Sequence, residues 1–401
     1  MLKKIIKSYD YSLIIVIILL CLFGLVMVYS ASMVAGVRFD VPSDHFYQKQ
    51  KMNLIVATAV LFITALLPYK AMKSTKILMP MVLLSIVGLS VLFLFGKVTN
   101  NAQSWFEVGA RSLQPSEFCK LAVIIYLSAV YAKKQSYINE FNKGVVPPLV
   151  YLVLVCLLVA VQPDFGTAAI IFLIAGTIIL SSGMNIKNMA RLALMFMAII
   201  APLTLMMKDE IFSETRLDRL TSYSNPFKDE KDSGYHLANS YYAIGSGGIK
   251  GLGLGESVQK LGYLPEPHTD FIIAVISEEL GIFGVGFVLL ALGFIVLRGI
   301  FIGLKCKDPF GSLLAIGISS MIGIQSFINL GGVSGLIPLT GVPLPFVSYG
   351  GSSLLQLAIA AGILINVSMF VNYEEKHKTP KEKKQQPTPA KVPGQVFRYR
   401  T

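Results

Sequence analysis

Residues 264–281 read LPEPHTDFIIAVISEELG and place several ionisable side chains at, and inside, an apolar segment. The stretch begins as a polar turn with Glu266, His268 and Asp270, and its apolar continuation contains Glu278 and Glu279. An ionisable residue at the centre of a membrane-spanning helix costs about 2.5–3.5 kcal/mol on insertion scales. Each of these residues therefore needs a partner or water, and such positions are often functional.

The composition around this stretch predicts a membrane protein. Hydrophobic residues make up 54% of the 401 residues and charged residues only 14%, whereas soluble domains contain about 25% charged residues. Apolar runs near 20 residues recur along the chain, and about 20 helical residues are needed to cross a bilayer. We therefore expect an all-α polytopic membrane protein, with a membrane domain over residues 1–373 and a basic disordered tail over residues 374–401.

The spacing of the apolar runs predicts ten transmembrane helices, and the first run is too long to be the core of a cleaved signal peptide. Lys and Arg are more frequent in the loops on the side of the two termini, so both termini are expected to be cytoplasmic. The net charge of +12 then reflects this topology and attraction to anionic headgroups rather than nucleic-acid binding. The expected spans cover residues 11–31, 52–68, 77–96, 118–132, 146–162, 167–183, 189–207, 271–297, 311–333 and 353–373.

With this topology, three unusual segments lie outside the cell. Residues 97–117 contain the only tryptophan, Trp105; residues 208–270 form a long connection rich in mixed charge; and residues 335–353 read GLIPLTGVPLPFVSYGGSS, without any charge. Long loops in compact folds are usually functional. Pro- and Gly-rich backbone at membrane depth must be packed in protein or line a wet cavity, which predicts a cavity that opens to the outer leaflet.

Several residues near this cavity have two readings each. Asp270 can cap the N-terminus of its helix or act in chemistry, and Thr269 can cap equally well. Lys120 can pair with Glu278 as a structural contact, reach an anionic substrate group, or do both. Arg216 and Arg219 are three residues apart, which fits either a surface amphipathic helix or a contact to a phosphate. The glycine-rich residues 245–257 lack the GK[ST] of a phosphate-binding loop and are better explained as a flexible turn.

Three motifs resemble the SEDS family, which includes FtsW, RodA and SpoVE. They are QPSEFCK at residues 114–120, LPEPHTDFIIAVISEELG at 264–281 and PLTGVPLPFVSYGGSS at 338–353. The resemblance extends from the first span to the tenth. It implies a peptidoglycan glycosyltransferase that polymerises lipid II at the outer face of the cytoplasmic membrane. It also implies a class B penicillin-binding protein as partner, together with other membrane proteins of the division complex.

The resemblance also implies roles for individual residues. The Asp of the H-T-D-F motif, here Asp270, would be the catalytic general base on the acceptor hydroxyl. The substrate-binding residues implied by the motifs or by positive charge are Trp105, Arg111, Glu117, Lys120, Arg216, Arg219, Glu266, His268, Ser348 and Tyr349, with Glu278 in a supporting position. No cofactor is certain, although a divalent cation, Mg or Mn, could help to stabilise the leaving diphosphate.

The chain departs from the family pattern at three positions. It has Ser104 where Arg often precedes the Trp, His236 where Gln is commoner, and Gly262 where some members have an acid. Among the branches, the FVSYGGSS and KSYDYSL segments and the basic tail most resemble the division branch, followed by the sporulation and elongation branches. This predicts a location at the division septum. The alternatives are a lipid II flippase, for which Glu278 would be an ion relay, and a scaffold that recruits the synthase.

Overall fold

The computed structural model describes residues 2–38, 40–99, 102–108, 111–206, 223, 226–228 and 234–377. These residues are mostly helical. The helices, numbered in chain order, are α1 Leu2–Ile6, α2 Tyr11–Arg38, α3 His45–Leu66, α4 Thr75–Phe95, α5 Pro115–Lys133, α6 Val146–Val161, α7 Phe165–Ser181, α8 Ile186–Met206, α9 Tyr235–Gly247, α10 Ile272–Lys305, α11 Pro309–Val333 and α12 Gly351–His377.

A helix coincides with each of the ten predicted spans, but the helices differ in their capacity to cross a membrane. Within the described ranges, seven helices are long and apolar enough to do so, namely α2, α3, α4, α5, α10, α11 and α12. The apolar helices α6 and α7 are shorter. The chain is therefore a multi-pass membrane protein, and the count of ten spans stays a prediction.

The helices at the periphery and at the centre of the bundle bury very different surfaces. Helix α4 exposes large apolar side chains such as Leu84 and Leu94, as expected for a helix surrounded by lipid. Helix α5 is buried along most of its length, including the charged residues Glu117 and Lys120. Polar groups in a membrane bundle face the protein interior rather than lipid, so α5 marks the centre of the structure.

Helix α10 contains a break that the sequence reading missed. Gly281 has φ 60° and ψ −151°, and it divides α10 into a short segment of residues 272–280 (α10a) and a long segment of residues 282–305 (α10b). At 1.5 Å per residue, α10b alone is about 36 Å long, which is enough to cross a bilayer core of about 30 Å. The kink therefore divides the expected span over residues 271–297, and α10b alone is long enough to cross the membrane.

Helix α10a is instead enclosed by protein. All of its residues from Ile272 to Glu279 are buried. Its C-terminal end contacts the glycine-rich segment, in which the N–H groups of Leu252 and Gly253 donate to the carbonyls of Glu278 and Glu279 (both 2.9 Å). A side chain at Gly251 or Gly281 would overlap the facing backbone, which explains the glycines. The glycine-rich segment thus turns after α9, as expected, and its residues 251–253 pack against the end of α10a.

Two further features correct the sequence reading. Three short strands between Lys97 and Leu113 form a small antiparallel sheet, which an all-α prediction did not include. Its strands are β1 Lys97–Thr99, β2 Ala102–Val108 and β3 Arg111–Leu113, in the order β1-β2-β3. Helix α12 continues to His377, four residues into the expected tail, and the rest of the tail lies outside the described residues.

Candidate functional site

The site is centred on the turn that precedes α10a. Helix α10a begins at Ile272 with Phe271 in the N-cap position, so Asp270 precedes the cap. The main chain of this turn is held from two directions. The Tyr349 N–H donates to the His268 carbonyl at 2.9 Å and the Ser348 hydroxyl donates to the Thr269 carbonyl at 2.6 Å. The SYGG segment, residues 348–351, thus fixes the main chain next to Asp270.

Asn329 of α11 fixes the same turn from its other side. Its side-chain amide donates to the carbonyls of Asp270 and Val342, both at 2.8 Å. It therefore joins α11, the turn before α10a and the uncharged loop through two hydrogen bonds. Asn329 was not identified from the sequence, because an amide in an apolar helix gives no local indication of its partners.

The side chain of Asp270 faces a glycine of the uncharged loop. A Cβ built on Gly341 would lie 3.4 Å from the Asp270 Oδ2 atom, and Gly341 has φ 71°. This backbone conformation and the absence of a side chain leave space next to the carboxylate. The loop continues to Thr340, whose carbonyl would lie 3.6 Å from a Cβ on Gly166 at the start of α7. The loop therefore lies between the Asp270 turn and the connection from α6 to α7.

That connection contains an acid which the sequence reading missed. Asp164 caps α7 by accepting a hydrogen bond from the Thr167 N–H at 3.1 Å. Burial raises the pKa of Asp164; its hydrogen bonds from Thr167 and the charge of Lys120 oppose that rise, and the charge of Glu117 adds to it. Asp164 is thus close enough to Lys120 and Glu117 for their charges to affect its pKa. Its position in QPDFG, between two short apolar runs, was a usable signal.

Lys120 and Glu117 form a buried ion pair on α5. The Lys120 Nζ lies 2.7 Å from the Glu117 Oε1, and both side chains are almost inaccessible to solvent. The reading in which Lys120 pairs with Glu278 is wrong, because Lys120 pairs with Glu117, three residues earlier on the same helix face, and Glu278 accepts from Ser257 and Val258. The second carboxylate oxygen of Glu117 is buried and has no hydrogen-bond partner among the described residues.

Ser352 links the α5 motif to the SYGG segment. Its hydroxyl accepts from the Gln114 N–H at 3.0 Å and donates to the Ser112 carbonyl at 3.2 Å. The three motifs identified in the sequence therefore meet, since Ser352 connects the third to the first and Ser348 and Tyr349 connect the third to the second.

Glu278 and Glu279, at the far end of α10a, have different partners from those expected. Glu278 accepts hydrogen bonds from the Ser257 hydroxyl and from the Val258 N–H at 3.0 Å. Glu279 pairs with Lys260 at 2.6 Å and accepts from the Ser30 hydroxyl of α2, also at 2.6 Å. We call residues 255–260 the glutamate-binding turn. The carboxylates of both acids therefore have their hydrogen-bond and ion-pair partners within the protein.

Glu266 and His268 are part of the turn structure itself. Glu266 has φ 49°, unusual for a residue with a side chain, and accepts hydrogen bonds from Thr269 through its carbonyl and its carboxylate, each at 3.2 Å. His268 is buried between Phe46 and Tyr349, with ring centroids 4.5 and 5.4 Å away. Burial lowers the pKa of His268 to about 4. The imidazole is therefore neutral at neutral pH.

The remaining predicted residues lie in the small antiparallel sheet or outside the described part of the chain. Trp105 is half-buried in β2, where it pairs with Lys97 of β1. Arg111 of β3 pairs with Val108 of β2 in the sheet. The side chain of Arg111 lies outside the described structure. Arg216 and Arg219 fall within residues 207–222, which are also outside it. In the described ranges, no group of three or more His, Cys, Asp and Glu is placed to hold a metal ion, and a divalent cation stays a prediction.

Comparison with known proteins assigns the family. The model of the FtsW/RodA/SpoVE family, described as cell cycle proteins, matches residues 10–373. The probable peptidoglycan glycosyltransferase FtsW of Bacillus subtilis is 58% identical over 382 residues, which cover 94% of this chain and 95% of that protein. The stage V sporulation protein E of the same organism is 41% identical, covering 91% of this chain and 98% of that protein. The higher identity to FtsW agrees with the predicted division branch.

Solved structures share the fold. A chain from a peptidoglycan synthase complex, described as coordinating polymerisation and crosslinking, superposes with a TM-score of 0.70 at 22% identity, covering 90% of this chain and 98% of that one. The rod shape determining protein RodA of Thermus thermophilus gives a TM-score of 0.62 at 23% identity, covering 92% and 98%. With the family model matched over nearly the whole chain and the three motifs joined around Asp270, the protein belongs to the FtsW/RodA/SpoVE family of cell cycle proteins.

Proposed function

We propose that this protein is a peptidoglycan glycosyltransferase that polymerises lipid II into glycan strands during cell division. Its support is membership of the family and its 58% identity to a relative named as a probable peptidoglycan glycosyltransferase. The observation that carries the site is the position of Asp270. Its carboxylate faces Gly341, while Asn329, Ser348 and Tyr349 fix the main chain around it.

In the proposed reaction Asp270 acts as a general base. It removes the proton from the sugar 4-hydroxyl of one lipid-linked disaccharide as that oxygen attacks the anomeric carbon of another. The new glycosidic bond forms while the bond from the anomeric carbon to the diphosphate oxygen breaks, and the diphosphate leaves with its electron pair. Proton transfer by a positioned side chain contributes about 10²–10⁴ in rate.

Lys120 is the proposed contact for the leaving diphosphate. A lysine ammonium has three N–H donors, and the ion pair with Glu117 accounts for one of them. Glu117 holds Lys120 in a buried position and partly neutralises it, so Lys120 alone does not balance a diphosphate. Arg111, Arg216, Arg219 or a divalent cation would supply the additional positive charge, and Trp105 would contact the sugar or lipid portion of the substrate.

The proposal includes a topology and partners. Ten spans, with both termini cytoplasmic and a large outer loop between spans seven and eight, would place Asp270 on the outer side, where lipid II is polymerised. The excess of Lys and Arg on the terminal side supports this orientation. A class B penicillin-binding protein and other division-complex proteins at the septum are the proposed partners. The synthase complex that shares the fold combines polymerisation with crosslinking.

The transporter alternative rested on Glu278 as an ion relay. Because Ser257 and the main chain of residue 258 hold the Glu278 carboxylate, the observation that favoured a relay is gone. The scaffold alternative rested on the basic tail, most of which lies outside the described residues.

The test is polymerisation of labelled lipid II by the full-length protein with its partner synthase, whose transpeptidase site is blocked. Asp270→Ala is expected to abolish glycan formation. The matched control is Glu256→Ala, which removes an exposed acid from the same outer segment and is expected to retain wild-type activity. Equal glycan yields from wild type and Asp270→Ala, with both proteins folded, would contradict the catalytic assignment.

A further inference from the structure

A basic pocket lies where the two ends of the described chain meet, far along the sequence from the proposed catalytic site. It has a volume of about 500 Å³ and is lined by Lys3, Lys4, Lys7, Tyr11, Lys376 and His377. Four of these six residues are lysines and none is acidic. The pocket therefore has a concentrated positive charge that the proposed glycosyl transfer does not use.

The walls of the pocket are held together by hydrogen bonds. The Lys376 Nζ of α12 donates to the Lys7 carbonyl at 3.2 Å, and the Asn372 side chain donates to the Ser8 carbonyl at 3.0 Å. The Tyr11 hydroxyl donates to the Ile6 carbonyl at 3.0 Å, so the first residue of α2 is fixed to the end of α1. The pocket is thus formed by elements that the fold itself brings together.

The nearby acids of α12 belong to a neighbouring cluster. Glu375 pairs with Lys305 at 3.3 Å, and Glu374 and Glu375 line a separate cavity next to Tyr69 and Asp308. Among the described residues, no acidic side chain forms an ion pair with Lys3, Lys4, Lys7 or Lys376, so their charge is available for an anionic ligand.

An apolar stripe continues from the pocket along the outside of the bundle. Tyr11, Ile15, Ile18 and Leu22 of α2 follow one another at intervals of four, three and four residues, which places them on one helix face. Their side chains are 51%, 54%, 38% and 50% exposed. Since α2 is long and apolar enough to cross the membrane, this face is in position to contact acyl chains below the headgroup level.

We propose that the basic pocket binds an anionic phospholipid, with its phosphate among Lys3, Lys4, Lys7 and Lys376 and its acyl chains along the stripe on α2. Basic pockets at the ends of membrane helices are suited to anionic headgroups. The apolar stripe distinguishes a lipid from a soluble phosphate, because only a lipid uses both surfaces. Phosphatidylglycerol or cardiolipin has the required chemistry, and phosphatidylcholine, whose headgroup has no net charge, does not.

The experiment measures binding of fluorescently labelled phosphatidylglycerol to the full-length protein in neutral detergent. The test variant is Lys3→Gln, Lys4→Gln and Lys7→Gln combined. At about 1 kcal/mol for each lysine near an anionic surface, its affinity is expected to fall about 100-fold. The matched control combines Lys73→Gln, Lys76→Gln and Lys187→Gln, which removes three charges from exposed lysines that do not line the pocket. This control is expected to lose much less affinity.

Competition separates the two sources of phosphate. Unlabelled phosphatidylglycerol should displace the probe, whereas inorganic phosphate and glycerol phosphate at the same concentration should not. An equal loss in both triple variants would show a general effect of surface charge and overturn the proposal, as would unchanged binding in the test variant. Displacement by inorganic phosphate would identify a soluble-anion site and overturn the lipid assignment. Because the substituted lysines are exposed, thermal unfolding of both variants is expected to match wild type, which checks that each is folded.

Discussion

Acidic residues lie at both ends of α10a, with Asp270 just before its start and Glu278 and Glu279 at its end. The hydrogen bonds around them involve different groups at the two ends. At the start, the main chain around Asp270 is held by Asn329, Ser348 and Tyr349, and the carboxylate faces the space left by Gly341. At the end, the carboxylates of Glu278 and Glu279 are themselves held by the glutamate-binding turn. The contacts at the start fix the main chain beside Asp270, and those at the end fix the carboxylates of Glu278 and Glu279, so we assign the two glutamates a structural role.

The largest effect should come from Asp270→Asn. This change keeps the shape of the side chain but removes the base, so glycan polymerisation is expected to fall by about 10²–10⁴. The thermal unfolding midpoint should stay close to wild type. Polymerisation of labelled lipid II and thermal unfolding of the same preparation measure the two quantities. A large loss of stability with little loss of activity per folded molecule would reverse the roles assigned to the two ends.

At the other end, Glu279→Gln or Lys260→Met should mainly lower stability. Removing one partner of a buried ion pair leaves a buried charge without compensation and costs about 3–5 kcal/mol. The double variant should lose less than the two single losses added together. Activity per folded molecule should be much less affected than by Asp270→Asn.

The matched control for this pair is the exposed pair Lys305–Glu375, with side chains 43% and 52% exposed. Glu375→Gln should change stability by less than about 1 kcal/mol. Equal effects at the buried and the exposed pair, measured by chemical or thermal unfolding, would contradict the structural role of the glutamate-binding turn.

The buried imidazole of His268 makes the Asp270 end sensitive to acid. The pKa of His268 is lowered from 6.5 to about 4 by burial, so the unfolded chain binds its proton at a higher pH than the folded protein does. Stability from this residue is complete above pH 6.5 and is lost as the pH falls towards 4, by about 3 kcal/mol in total. Unfolding measured at several pH values should show this loss in wild type and not in His268→Asn.

Gly341→Ala should lower stability less than the loss of the buried ion pair does. With φ 71°, an alanine costs about 1–2 kcal/mol in backbone strain, and its methyl group would contact the Asp270 carboxylate. Gly183→Ala is the control, because Gly183 has φ 81° but has no atom within 4 Å of its Cβ position. Both variants should be destabilised to a similar degree, and only Gly341→Ala should also reduce polymerisation per folded molecule.

The sequence was sufficient for the family, the helical membrane fold and the three motifs that meet around Asp270. These rest on local composition and on residue patterns that are readable without the structure. The Glu117–Lys120 pair could also have been predicted, because residues three apart on a helix are neighbours. Asp164 was overlooked although an acid between two apolar runs is a visible signal.

Other features depend on contacts between distant parts of the chain. Nothing near Lys260 indicates that it pairs with Glu279 and reaches Ser30 of α2. The roles of Ser348 and Ser352 as joints between motifs depend equally on the tertiary structure. Gly281 did not reveal the break in α10, because glycine is common within membrane helices and the apolar pattern continues on both sides.

The break at Gly281 has a consequence for reading hydropathy in proteins of this kind. A hydropathy profile reports that residues 272–305 avoid water, but it does not distinguish avoidance by contact with lipid from avoidance by contact with other helices. In α10 the buried segment α10a and the longer segment α10b follow each other within one helix, and a single glycine separates them. An unusually long apolar run can therefore contain a buried segment beside one that is long enough to cross the membrane, and the proposed catalytic residue Asp270 lies just before such a buried segment.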